Sequence, residues 1–166
     1  MRTPRNRIAV TALALSAAGL LGILTREDIR LDAYPDPVHG WAVPTIGAGS
    51  IENVKPGDRI TPLEAVTRTA REVQVYETAL KGCVKVPLTQ YEYDAYIELA
   101  HNIGARAFCT STIVQRLNQE DYDAACDAIL MWKRAGKQDC SLPGNRVCPG
   151  LWRDRLRTHA KCKGLQ

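Results

Sequence analysis

Four carboxylates crowd one short stretch of the chain: Glu27, Asp28, Asp32 and Asp36. Cleavage of a glycosidic bond calls for two carboxyl groups flanking it, one kept protonated to give up its proton and one ionised. Spacing alone does not establish that chemistry, because acids clustered on a surface segment are usually just solvated. The other reactive residue types point away from metals. The three histidines are scattered, and the six cysteines contain no Cys-x-x-Cys pair, so zinc-ligand spacing is absent. Neither a metal nor a cofactor is expected. The cysteines (Cys83, Cys109, Cys126, Cys140, Cys148 and Cys162) are even in number, and none precedes residue 83. Disulfides formed in an oxidising compartment account for them best. Cys140 with Cys148 is the one local pairing to expect, closing the turn-rich loop Ser141-Leu142-Pro143-Gly144-Asn145; the remaining pairings stay open.

A chain of 166 residues suits one domain with a real core. Residues 25–50 hold Pro35, Pro37, Gly40, Pro44, Gly47 and Gly49, which break any long helix, with Val38, Trp41, Val43 and Ile46 as strand positions between them. Helices follow. Thr61-Pro62-Leu63-Glu64 reads as a capping box with proline at the first helical position, and apolar residues from Leu63 to Leu80 repeat at helical spacing until Gly82. Thr89-Gln90-Tyr91-Glu92 is a second capping box, opening a helix that runs to Gly104. Further helices are expected near Ser111, from Asp121 to a stop at Gly136, and over residues 150–160. A small sheet followed by a helical body is an α+β arrangement.

The amino terminus carries Arg2, Arg5 and Arg7, followed by the uncharged, apolar residues 8–24. A basic flank before an apolar run is the pattern of an export signal, and the flank stays in the cytoplasm while the rest of the chain lies outside. Cysteine usage names the same compartment. The segment is at the short limit for a spanning helix, and Gly19, Gly22, Ser16 and Thr11 weaken it. An uncleaved, marginal span is favoured over cleavage after the small-x-small site at Ser16-Ala17-Ala18. The expected division is therefore residues 1–24 as a membrane segment and 25–166 as the catalytic domain. The net charge of +4 lacks a concentrated basic face, so no nucleic-acid partner is expected.

The stretch Thr25-Arg26-Glu27-Asp28-Ile29-Arg30-Leu31-Asp32-Ala33-Tyr34-Pro35-Asp36, followed by Val43-Pro44-Thr45-Ile46-Gly47-Ala48-Gly49, resembles the active-site region of the phage-type lysozymes, glycoside hydrolase family 24. Downstream, Leu99-Ala100-His101-Asn102-Ile103-Gly104 resembles that family's Phe-Asn-x-Gly helix end, and Ser111-Thr112-Ile113 its Ser-Thr-Leu helix. Trp132 with Ala135-Gly136 resembles its Trp-x-x-Ala-Gly signature, and Gly150-Leu151 with Arg155 its final helix. The similarity covers about residues 25–160 in order. It implies a lysozyme-like α+β fold with a small amino-terminal hairpin lobe and a mainly helical carboxy-terminal lobe, preceded here by a hydrophobic helix.

For chemistry, the resemblance implies that Glu27 is the general acid for the leaving oxygen, that Asp36 is the base or positioner of a water on the opposite face, and that Thr45 helps hold that water. This is the inverting scheme. The substrate implied is the glycan of peptidoglycan, cut by a monomer that causes host lysis. The chain departs from the family at Asp28, where glycine is usual, in the longer stretch from Asp36 to Thr45, at Ser50-Ile51, and at Asp154 and Thr158 of the last helix. His39 and His101 read as structural, Asn102 and Trp132 as capping and packing residues, and Trp41 as either core or a sugar-stacking ring.

With Leu24 almost adjacent to Glu27, a weak span would pin the acid at the membrane face, which resembles the signal-arrest-release endolysins. Residues 8–24 would tether the protein to the periplasmic face of the inner membrane until release into the periplasm. Other readings remain: a secreted muramidase with a cleaved signal, a lytic transglycosylase, or a non-enzymatic, membrane-anchored wall-binding protein.

Overall fold

A computed structural model describes residues 6–26, 29–36 and 39–165. The chain divides into two compact units, one of residues 17–75 and one joining residues 1–16 to 76–166.

The first unit opens with helix α1 (Ala17–Leu24), in which Gly19, Ile23 and Leu24 are buried. Strand β1 (Arg30–Asp36) then pairs antiparallel with β2 (Gly40–Gly47). Tyr34 faces Thr45, Pro35 faces Pro44 and Asp36 faces Gly40, with irregularities on either side of the Tyr34–Pro35 step. Two prolines in register are tolerated because β1 and β2 make a sheet of only these two strands, where proline removes few ladder bonds. Residues 58–60 run beside β1, through Ala33 N–H to the Asp58 carbonyl and Ile60 N–H to the Leu31 carbonyl, each at 2.9 Å. The buried end of β2 supplies Thr45 and Ile46 to the core and the turn after it Ala48, with Ala65, Thr69 and Val73 of helix α2 (Pro62–Cys83) buried in the same unit.

A tight reversal follows β2, with Ile46 and Ser50 exchanging both backbone bonds at 2.9 Å. Gly47 sits there at φ +65, where an L side chain is disfavoured. A Cβ at this position would meet Ile60 Cδ1 at 3.5 Å and Ala65 Cβ at 3.7 Å, which is ordinary contact. The requirement for glycine is therefore conformational rather than steric. Gly47→Ala should cost about 1–2 kcal/mol, read as a fall in Tm of roughly 4 °C; an unchanged Tm would show that the turn relaxes.

The helices start where local chemistry dictates. At the head of α2, Glu64 N–H donates to Thr61 Oγ1 at 3.2 Å while Thr61 N–H donates to Glu64 Oε2 at 2.7 Å. Those bonds from Thr61 hold the Glu64 carboxyl below its usual range. The same reciprocal box opens α3 (Gln90–Ile103), from Thr89 and Glu92.

Helix α3 is the spine of the second unit. Tyr93, Ala95, Tyr96, Ile97, Leu99 and Ala100 are all buried, and α3 packs on α7 (Pro149–Cys162). Around them lie α4 (Ala105–Cys109), α5 (Thr112–Leu117) and α6 (Tyr122–Asp127), with Phe108, Ile113, Leu117 and Ile129 in the core. Sequence periodicity carries a helix from Asp121 to Gly136; the structure corrects this. Helix α6 gives way to a 3-10 turn at Ala128–Met131, and Gly136, at φ +56, instead turns a short hairpin of β3 (Arg134–Ala135) and β4 (Gln138–Asp139). Cys140–Cys148 pairs as expected, and the open pairings resolve to Cys83–Cys109, tying α2 to α4, and Cys126–Cys162, tying α6 to α7. Loops of 26 and 36 residues correspond to about 3.5 kcal/mol each in chain-entropy terms.

The expected amino-terminal hydrophobic helix is realised in part. Residues 17–24 form α1, but residues 6–16 are an extended arm with a 3-10 turn at Val10–Ala12, embedded in the second unit. Among the described residues, no helix is long and apolar enough to cross a membrane. Ile8 and Leu88 exchange backbone bonds at 2.9 Å, and Val10 and Leu13 are buried. Three carboxylates receive the arm. Glu92 takes Arg7 in a two-pronged ion pair (2.6 and 3.1 Å), with the guanidinium 3.6 Å over the Tyr122 ring. Glu77 accepts from Leu15 N–H at 2.7 Å, and Asp94 from Ser16 N–H at 3.0 Å.

Candidate active site

Of the four clustered acids, Glu27 and Asp28 lie outside the described residues. Asp32 pairs with Arg59, and both side chains are largely exposed. The sequence left this acid among the candidates; the structure gives it a surface ion pair. Asp36 is the last residue of β1, where the strand must end before the connection to Gly40. Its Oδ1 accepts from His39 N–H at 2.7 Å and lies 3.0 Å from His39 Nδ1.

Thr45 sits on the neighbouring strand opposite Tyr34, with only 4% of its surface exposed. Its hydroxyl donates to the Val43 carbonyl at 3.2 Å, which leaves its oxygen lone pairs as acceptors. The hairpin thus brings Asp36 and Thr45 onto adjacent strands, near each other along it without being register partners. Trp41, just past the turn, is half exposed, which removes it from the core.

The downstream motif residues meet at one side chain. Arg155 of α7, almost fully buried, donates Nε–H to the Trp132 carbonyl at 2.9 Å and hydrogen bonds to Asn102 Oδ1 through Nη2, with Asp154 at 3.0 Å from Nη1. Residues far apart in sequence are thereby held by one guanidinium, in keeping with structural roles for Asn102 and Trp132. His101 packs edge-on against Tyr76 at 5.3 Å. Among the described residues, no group of three or more His, Cys, Asp or Glu side chains could hold a metal ion.

Sequence reasoning missed His39 as a neighbour of Asp36. A histidine three residues after an acid that ends a strand is a pattern for side chain-to-backbone capping of a turn, and that signal was present.

A small hairpin with a Pro-Thr-Ile-Gly strand and a disulfide-stapled helical unit make up the α+β architecture expected of a lysozyme-like fold. Residues 25–158 match the phage lysozyme family, and the chain belongs to this family of muramidases. It is 38% identical over 140 residues to an endolysin of Salmonella phage P22, covering 81% of this chain and 94% of the relative. To a SAR-endolysin of Pseudomonas phage phiKMV it is 34% identical over 121 residues, 73% of each chain. A crystal structure of a P22 lysozyme point mutant superposes with a TM-score of 0.77 at 35% identity, covering 91% of this chain and 99% of the other.

Proposed function

We propose that this chain is an endolysin that hydrolyses the β-1,4 bond between N-acetylmuramic acid and N-acetylglucosamine in peptidoglycan, lysing the host from the periplasm. The observation that carries this reading is the hairpin: Asp36 ends β1 while Thr45 lies on the adjacent strand, within a chain that matches the phage lysozymes from residue 25 onward. In this scheme Glu27 protonates the leaving glycosidic oxygen. Asp36 takes a proton from the attacking water, and the Thr45 hydroxyl, its hydrogen already given to Val43, accepts from that water and orients it. Purified protein on murein sacculi should release muropeptides with free reducing ends. A 1,6-anhydro product would make it a lytic transglycosylase, and binding without release a wall-binding protein.

The amino-terminal segment, residues 1–24, fits a tether that is released. Relatives named SAR-endolysins support this, as does the apolar run of residues 8–24. Cleavage after Ala18 is disfavoured by what it would remove: buried Val10 and Leu13 and the Arg7–Glu92 pair. Replacing Gly19 and Gly22 with leucine adds roughly −0.5 kcal/mol of membrane preference per residue. The doubly substituted protein should stay in the membrane fraction and lysis should come later; late lysis with the protein already in the periplasm would count against tethering.

A further inference from the structure

We propose that His39 is a positioning residue for Asp36, fixing the orientation of the carboxylate toward the attacking water. The proposal rests on the reading of Asp36 as the base. Its observation is that one residue supplies two donors to one oxygen: His39 N–H at 2.7 Å and Nδ1 at 3.0 Å, both on Asp36 Oδ1. With Asp36 ionised, as the reading of it as base requires, an unprotonated nitrogen at that distance would set lone pair against lone pair, so Nδ1 carries a hydrogen. Two bonds to Oδ1, one from the backbone and one from the ring, pin the plane of the carboxyl group. The carboxylate is then held in one orientation toward the water.

The turn is built for this contact. Gly40 follows His39 at φ +58 and is the register partner of Asp36. A Cβ at Gly40 would meet nothing within 4 Å, so glycine is needed there for the backbone path that folds His39 back over the end of β1. This turn belongs to the stretch between Asp36 and Thr45 that is longer in this chain than the phage-lysozyme pattern. Exposure separates positioning from stability. The His39 side chain is 65% exposed and that of Asp36 26%, and a polar contact so open to solvent adds little to folding. A base whose carboxylate can rotate away from the water nevertheless loses rate, because proton transfer depends on reach and alignment.

The test measures kcat, KM and Tm on soluble murein glycan for His39→Ala, His39→Asn, Asp36→Asn and the double variant Asp36→Asn/His39→Ala. His39→Ala should lower kcat about five- to ten-fold, with KM and Tm near wild type. The asparagine amide can place an N–H close to where Nδ1–H stands, so His39→Asn should recover at least half of the lost rate. Adding His39→Ala to Asp36→Asn should cost nothing more. Wild-type kcat in His39→Ala, a loss confined to KM, or a kcat loss that His39→Asn fails to relieve while folded would overturn the positioning role alone. Full activity in Asp36→Asn would overturn the reading of Asp36 as base, and this proposal with it.

Discussion

Glu27→Gln should lower turnover of murein by about a thousand-fold, and Asp36→Asn by at least a hundred-fold, with neither change unfolding the protein. Glutamine keeps the shape of Glu27 but has no proton to give. The leaving sugar would then depart as an alkoxide, and general acid catalysis of this kind is worth roughly two to four powers of ten. Asparagine at Asp36 can still accept at its oxygen from His39 N–H, so the turn should survive while the water loses its base. Zymography gives the qualitative answer, and reducing-end assays with soluble substrate give the rates. If Glu27→Gln kept even a tenth of wild-type activity, the acid would have to be sought elsewhere. The two substitutions together should cost little more than Glu27→Gln alone, because both act on one transition state.

The second large effect concerns stability. Arg7→Met should lower the free energy of unfolding by about 3 kcal/mol, because it takes a paired counter-charge away from the buried Glu92 carboxylate. The Glu92 side chain is 1% exposed and that of Arg7 20%, so solvent screens this pair far less than an ordinary surface pair. Methionine restores most of the packing over Tyr122 but none of the charge, which isolates the electrostatic part. Urea denaturation of Arg7→Met, Glu92→Gln and the double variant forms a cycle, and a coupling energy above about 1 kcal/mol is expected. Strict additivity would mean that Arg7 is ornamental. For a tethered precursor the result has a further meaning. The basic flank of a spanning segment stays in the cytoplasm, so the Arg7–Glu92 pair can form only once the arm has left the bilayer. Arg7→Met would then slow the gain of activity after release more than it slows release.

The parts of the fold that rest on near neighbours in the chain were legible in the sequence. Both capping boxes, at Thr61 and Thr89, are four-residue patterns whose bonds form as the spacing requires. Cys140–Cys148 followed from a short, turn-rich loop. The helix expected up to Gly136 failed because glycine ends helices and also turns hairpins, and the choice was made by pairing across Ala135 and Gln138, which composition does not encode. The arm was harder still. Residues 8–16 look like membrane material because they are apolar, and what receives them in the folded protein, Leu88 and the carboxylates of Glu77 and Asp94, comes from much further along the chain. At the site, Asp36 and Thr45 were legible only as a resemblance, and the bonds from His39 to Asp36 required knowing how the connection to Gly40 folds back.

Glu92 is a shared resource. Its carboxylate accepts Thr89 N–H at 2.9 Å, closing the box that starts α3, and the same two oxygens hold Arg7. The first turn of the central helix and the beginning of the chain therefore draw on one group, although they lie far apart in sequence. Loss of the arm strips charge compensation from the helix start, and fraying of the helix start withdraws the arm's anchor. The two should therefore open and close as a single cooperative unit, and hydrogen–deuterium exchange should show their backbone amides exchanging together, ahead of the buried middle of α3.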